Sequence, residues 1–254
     1  MLTILSPSKT TDPNPVEMQQ ATSPRFTKET LELISILKKK NVMELMSLMS
    51  ISEKLADQTY KRFQNFSSKA GSTFTKAAIL TFKGEVYTGL DAGNMSDEDL
   101  NFAQKHLRIL SGLYGSLRPL DLIREYRLEM GTRLTTTHGT NLYQFWRNKI
   151  TTSIIADLQQ SGNNYLINLA SDEYFKSLET KALKATVIQI DFFDMKNGKR
   201  TFISFNAKKA RGMMANYIIK NRINEPEALN KFDMDGYIFD HKTSTETLYT
   251  FIRP

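Results

Sequence analysis

Short apolar or alternating runs recur along this chain from end to end, and stretches with helical periodicity separate them. Leu2–Leu5, 77–82, Tyr165–Leu169, 187–193, 201–205, 237–239 and 247–252 have the length and pattern of strands. Between them, apolar residues return every three or four positions. Leu31, Ile34 and Leu37 lie within 28–39, a Met- and Leu-rich segment covers 42–49, and Ser52 precedes a third helix over 51–66. Ser96 and three acids open a helix expected to reach Leu110, and further helices fit 143–160 and 207–222. Residues 11–27, with Pro13, Pro15 and Pro24, read as loop, and Asn197-Gly198 is a hairpin turn. No repeat, low-complexity tract or linker divides the pattern. The expectation is a mixed α/β (α+β) fold with one domain over 1–254, built on a mixed sheet flanked by helices.

The charge is unevenly placed. The chain carries +7, yet the stretch from Lys176 to Arg222 alone holds eleven Lys/Arg against three acids, a net of +8. Such a concentration attracts nucleic acid, acidic lipid or phosphorylated ligands. The absence of cysteine excludes disulfides, thiolate zinc sites and thiol peroxidase chemistry. His106, His138 and His241 lie far apart in sequence, so neither a metal site nor a cofactor is expected. The opening residues lack a signal-peptide pattern and no apolar run nears the roughly 18 residues of a membrane helix. A cytoplasmic location is expected.

Four segments could carry chemistry. Gly84 to Gly89 has the glycine spacing of a phosphate loop, but Leu90 and Asp91 replace its Lys and Ser/Thr. What remains is a glycine-marked turn beside Lys83 that could line an anion cleft. Residues 106–121 read as a helix broken by Gly112 and Gly115 with Arg118 and Pro119 beyond. This is the grammar of a helix–hairpin–helix whose glycines let backbone approach a phosphate, and such a turn positions DNA without reading bases. Asp172 and Glu173, after the strand at 165–169, could serve as a general base beside Lys176, although Ser171 could equally cap a helix there. Lys208, Lys209 and Arg211 fall near the start of the helix expected from Ala207. Cations there are disfavoured by ~0.3–1 kcal/mol each unless an anion sits nearby. Trp146 reads as core, and the methionines of 42–49 as packing.

The runs SPSKT (6–10), FKGEVYTGL (82–90), LSGLYGSLRPLDL (110–122) and YRLEMG (126–131) resemble the YaaA family. So do LYQFW (142–146), NLASDEYFKS (168–177) and AKKARG (207–212), and the likeness covers essentially the whole chain in order. The departures are Ser8, where alanine is expected, and Asn206, where an aromatic is usual. The resemblance implies a cytoplasmic peroxide-stress protein associated with low unincorporated iron, with a single α/β domain, a positive cleft and a helix–hairpin–helix that binds DNA. Carried onto this chain, the hairpin is about 108–122. The nucleic-acid contacts are Lys9, Lys83, Gly112, Gly115, Arg118, Lys176, Lys208, Lys209 and Arg211.

Three functions follow. The first is DNA binding through the backbone, without sequence preference. The second is an enzyme on nucleotides or damaged nucleic acid, with Asp172 or Glu173 as base. The third, direct iron storage, lacks clustered ligands.

Overall fold

A computed structural model gives the fold and describes residues 1–12, 14, 20–67 and 75–254. The first apolar run forms β1 (Leu2–Leu5), buried at every residue, as a parallel strand covered on both faces must be. A two-residue strand, β2 (Thr10–Thr11), follows in the opening loop; Pro13 and Pro15 lie outside the described residues. Next come α1 (Thr27–Leu37), α2 (Val42–Met49) and α3 (Glu53–Gln64), all close to expectation. Asn41 and Glu44 close a capping box on α2. Its methionines divide: Met46 and Met49 pack on the core, whereas Met43 is 79% exposed.

The strand expected over 77–82 is broken into three pieces. Lys76–Ala77 is β3, Ala78–Thr81 is a helical turn, α4, and Phe82–Lys83 is β4, paired with β2. Tertiary hydrogen bonds override the strand pattern here. The N–H groups of Ala78 and Ile79 donate to the carbonyls of Asp121 and Pro119, which turns the chain.

The phosphate-loop spacing also resolves differently. Gly84, at φ 100°, makes the turn, but Gly89 lies inside helix α5 (Glu85–Leu90). The Ser96 capping box opens α6 (Asp97–His106) as expected, yet that helix ends at His106. Leu107–Ser111 is instead the buried strand β5, and β6 (Gly115–Leu117) returns antiparallel to it. The segment read as a helix–hairpin–helix is therefore a β-hairpin. Its apolar residues occupy both faces, so a strand beside β1 buries all of them where a helix would expose some.

Strand β7 (Leu122–Ile123) pairs with β3. The helix expected over 143–160 is two, α7 (Leu142–Trp146) and α8 (Lys149–Ser161), parted at Arg147 with φ 42°. Strand β8 (Tyr165–Leu169) leads into the short α9 (Asp172–Phe175). Strands β9 (Thr186–Lys196) and β10 (Lys199–Thr201) form a hairpin with positive φ at both Asn197 and Gly198, as expected, but the strand expected over 201–205 ends at Thr201, and Ser204 and Phe205 already belong to the next helix. Helix α10 (Ser204–Lys220) then crosses the molecule, before β11 (Ile238–Phe239) and β12 (Leu248–Arg253) close it.

The central sheet runs β11-β12-β9-β8-β1-β5-β6, with β10 also on β9, and β5, β1, β8, β9 and β12 are mutually parallel. This is a mixed α/β, single-domain architecture. From β1 the chain next enters the sheet at β5, on one side; from β8 it continues to β9, on the other. The crevice outside the carboxyl ends of β1 and β8 is thus the switch point where open α/β sheets bind ligands. Asp194 of β9 pairs with both Arg253 of β12 and Thr201 of β10, so β10 shares the β8 edge of β9. The β8 pairing ends at Gln189. Among the described residues, 190–193 therefore have no strand neighbour on that edge, which leaves a notch.

Helix α10 reaches this place by a very close crossing with α5. A Cβ built on Gly212 would lie 1.8 Å from the Val86 carbonyl oxygen, and one on Gly89 2.1 Å from that of Lys209. Both obstacles are backbone, so neither can give way cheaply. Gly212→Ala should lower the unfolding free energy by about 3 kcal/mol or more, measured by urea denaturation; a wild-type midpoint would contradict the crossing.

Asp99 ties α6 to the far end of α10. It accepts from Lys220 at 2.5 Å and the Ser96 N–H at 3.1 Å, and pairs with Arg222 at 2.8 Å. Burial pushes its carboxyl up, but these donors outweigh burial and hold the pKa down at about 2. The folded value lies below the unfolded value of about 3.9, so this stabilisation is complete above that pH and is lost as pH falls toward 2. Asp99→Asn should cost on the order of 2 kcal/mol at pH 7. Denaturation curves at pH 7 and pH 2.5 should converge for parent and variant as acid removes the difference; parallel curves would argue against it.

Candidate functional site

The loops leaving β1 and β8 are locked together at the switch point. The Ser171 N–H donates to Ser6 Oγ at 2.8 Å, the Ser6 hydroxyl reaches Ser171 Oγ at 3.2 Å, and the buried Tyr87 hydroxyl donates to the Ser6 carbonyl at 3.0 Å. Desolvation raises the Tyr87 pKa well above that of a free phenol, so the hydroxyl stays a donor. Asn168, fully buried at the end of β8, donates to Gln189 Oε1 at 2.6 Å and accepts from the Ala170 N–H at 2.9 Å. The wall of the crevice is thereby rigid, and Ser171 is used across the crevice without capping α9 through its side chain.

Arg211 of α10 belongs to this crevice. Its Nε is buried without a hydrogen-bond partner, and no carboxylate comes within 4 Å of it among the described residues. Burial lowers its pKa, while Asp191 and Asp172 oppose that from beyond ion-pair range. An uncompensated, half-buried guanidinium with a free donor is a receptor for an anion. Lys208 and Lys176, both exposed, also pair with no carboxylate among the described residues. Of the eleven cations between 176 and 222, only Lys209, Lys220 and Arg222 are ion-paired among the described residues, the first loosely to Asp235 at 3.7 Å.

Lys208 and Lys209 do not stand at a helix terminus. Helix α10 begins at Ser204, so Lys208 and Lys209 sit one turn inside it, where the dipole has largely faded. Burial of Arg211 replaces the dipole as the reason to expect an anion. Asn206 donates to Asp194 at 3.1 Å and so ties the start of α10 to β9.

The remaining site residues divide. Glu173 Oε1 accepts the Gly131 N–H at 2.9 Å and holds that loop. Asp172 is exposed and its carboxylate has no hydrogen-bond or ion-pair partner among the described residues, which leaves it the more available base. Lys9 pairs with Glu129 at 3.0 Å, and Lys83 with Asp12 at 3.1 Å. Asp12 also holds the buried Lys76 at 3.2 Å. The Asn14 N–H, with Lys83 and Lys76, keeps the Asp12 carboxyl far below the usual range. Lys83 and Lys76 line a cleft of about 720 Å³ together with Asp12, Asp91 and Asp97, so this cavity carries both signs. Lys76 has no sequence signal, because its partner lies 64 residues away.

Gly112, Gly115 and Arg118 do not join the crevice. Gly115 opens β6 and Gly112 and Arg118 flank it, two strands beyond β1 on the side away from β8 and β9. Both glycines are buried: a Cβ on Gly112 would meet the Leu128 carbonyl oxygen at 2.4 Å, and one on Gly115 would meet Trp146 at 2.8 Å. Their backbone approaches this protein's own chain, with the Gly112 carbonyl accepting from the Trp146 indole at 3.0 Å. Arg118 is bound to the fully buried Asp121 at 2.8 Å and to the Ser23 carbonyl. The histidines are separate, stacked or edged against Phe102, Phe145 and Phe239 respectively.

The fold and crevice define a mixed α/β protein with an uncompensated guanidinium at the switch point of a largely parallel sheet. The family model described as peroxide stress protein YaaA matches residues 1–243, and the chain belongs to that family.

Arg118→Gln should lower stability by about 3 kcal/mol, since Asp121 is left buried without its cation, while leaving any anion affinity within about twofold. Thermal melts and anion titration on the same variant check both halves; a stable variant with lost affinity would return Arg118 to the site.

Proposed function

We propose that this protein serves the peroxide stress response in the cytoplasm by holding nucleic-acid backbone, without reading sequence, at the crevice around Arg211. The carrying observation is that Arg211 is withdrawn from water with an unpartnered Nε and no ion pair. Lys208 and Lys176 extend that charge toward solvent. A phosphate fits this demand: it supplies negative charge and several acceptors for a planar donor. The family membership supports the stress role. On this reading the association with low unincorporated iron reflects protection of DNA from iron-driven damage. Normal peroxide survival of a Lys208→Ala/Lys209→Ala/Arg211→Ala strain that has lost DNA binding would refute that link.

A second reading rests on Asp172, a free carboxylate at the carboxyl end of β8 beside the same crevice. It would make the protein an enzyme on nucleotides or damaged nucleic acid, with Asp172 as base and Arg211 holding phosphate. Nuclease and glycosylase assays on damaged and bubbled duplexes, with Asp172→Asn as control, separate the two.

Duplex affinity should fall steeply between low and moderate salt, with a log–log slope near −0.9 per phosphate engaged. Lys176→Ala, Lys208→Ala and Arg211→Ala should each flatten that slope by about 0.9. Fluorescence anisotropy at several salt concentrations reads this directly, and slopes identical to the parent's would sink the proposal.

A further inference from the structure

The β9–β10 hairpin and the first turn of α10 present a surface that the crevice does not use. Phe202 and Phe205 are 56% and 59% exposed, and Met195 is 38% exposed, which makes them three of the few large apolar residues open to solvent. They are not isolated. The Phe202 ring lies edge-on to Phe193, centroids 6.3 Å apart, and the Arg200 guanidinium covers Phe193 at 4.6 Å.

The charges around these rings are equally unusual. Lys196 and Lys199 are register partners across the hairpin, a placement in which like charges repel and destabilise the pair. Neither has a carboxylate within 4 Å among the described residues. Arg200 acts on the Asp240 carboxylate from beyond ion-pair range. Along α10, Phe205, Lys208 and Arg211 follow at intervals of three, so each neighbours the next on the helix surface. The track from ring to guanidinium rises about 9 Å along the helix axis.

Exposed rings interleaved with unpaired cations suit a polyanion whose own flat faces are accessible. In a duplex the base faces are stacked on each other; in a single strand they are free. We infer that Phe202 and Phe205 form a stacking platform for the unpaired bases of a single nucleic-acid strand, whose phosphates follow Lys199, Lys196 and Lys208 toward Arg211. The inference rests on the nucleic-acid reading of the crevice and adds to it a preference for unpaired strand.

The test compares an oligothymidylate of roughly 20 nucleotides with a duplex of the same length, using parent protein, F202A/F205A and F202W/F205W. Each lost stacking contact should weaken single-strand binding by about tenfold or more. Single-strand affinity should therefore fall about a hundredfold in F202A/F205A, return in F202W/F205W, and leave duplex affinity within about threefold. Should F202A/F205A not fold, F202L/F205L keeps apolar volume without ring faces and carries the same expectation. Unchanged single-strand affinity, or equal loss on both forms, overturns the platform while leaving backbone binding at Arg211 standing. A parent that binds neither form removes both readings. Sedimentation showing a parent dimer that F202A/F205A dissociates assigns the rings to a second copy of the chain and also overturns the inference.

Discussion

The approach of α10 to α5 governs where the chemistry sits. Val86 and Lys209 present carbonyl oxygens to each other's helix at a distance that no side chain can enter, so Gly89 and Gly212 are required at the contact. Arg211 directly precedes Gly212. The contact that seats the helix therefore also holds the guanidinium withdrawn from water, within reach of the charges of Asp191 and Asp172, and a looser crossing would return it to solvent. Because the helix backbone is held by packing on buried Met213, Met214 and Ile218, Arg211 cannot relieve its desolvation by swinging outward as a whole.

The excess charge of the chain is distributed by a repeated device. Asp12, Asp99 and Asp157 each hold two cations: Lys76 with Lys83, Lys220 with Arg222, and Arg25 with Arg108. Each group spends its carboxylate on structure, since loss of a buried partner leaves an uncompensated charge. Within 176–222, the cations that find no acid among the described residues lie over 176–184, on the β9–β10 hairpin and in the first half of α10. Positive potential there is a consequence of which cations find acids, and it is not spread evenly over the basic stretch.

The strand and helix order was largely legible. The fully apolar Leu2–Leu5 run, the capping box at Ser96 and the Asn197-Gly198 turn each combine local signals that agree, and all three form as expected. Legibility ended where one local pattern served two structures. The apolar run over 107–111 fits either a helix or a doubly covered strand, and only the neighbouring β1 decides in favour of the strand. Gly112 and Gly115 signalled close backbone approach correctly, but the approaching groups are Leu128 and Trp146 of the same molecule. Pairings such as Arg118 with Asp121 and Lys83 with Asp12 similarly withdrew cations that composition alone would leave free.

The sequence by itself determined the fold class, the presence of a basic segment over 176–222, and membership of a family through runs spread across the chain. These are properties of local pattern and composition, which survive whatever the chain does at long range. Tertiary structure decided which of those cations are free, because ion pairing depends on carboxylates brought near from distant sequence. It also decided that the β8 pairing stops at Gln189 while β9 runs on, opening a notch on that edge of β9. A gap on a strand edge comes from the lengths of two strands and the placement of a third, and none of these is written at the position where the gap appears.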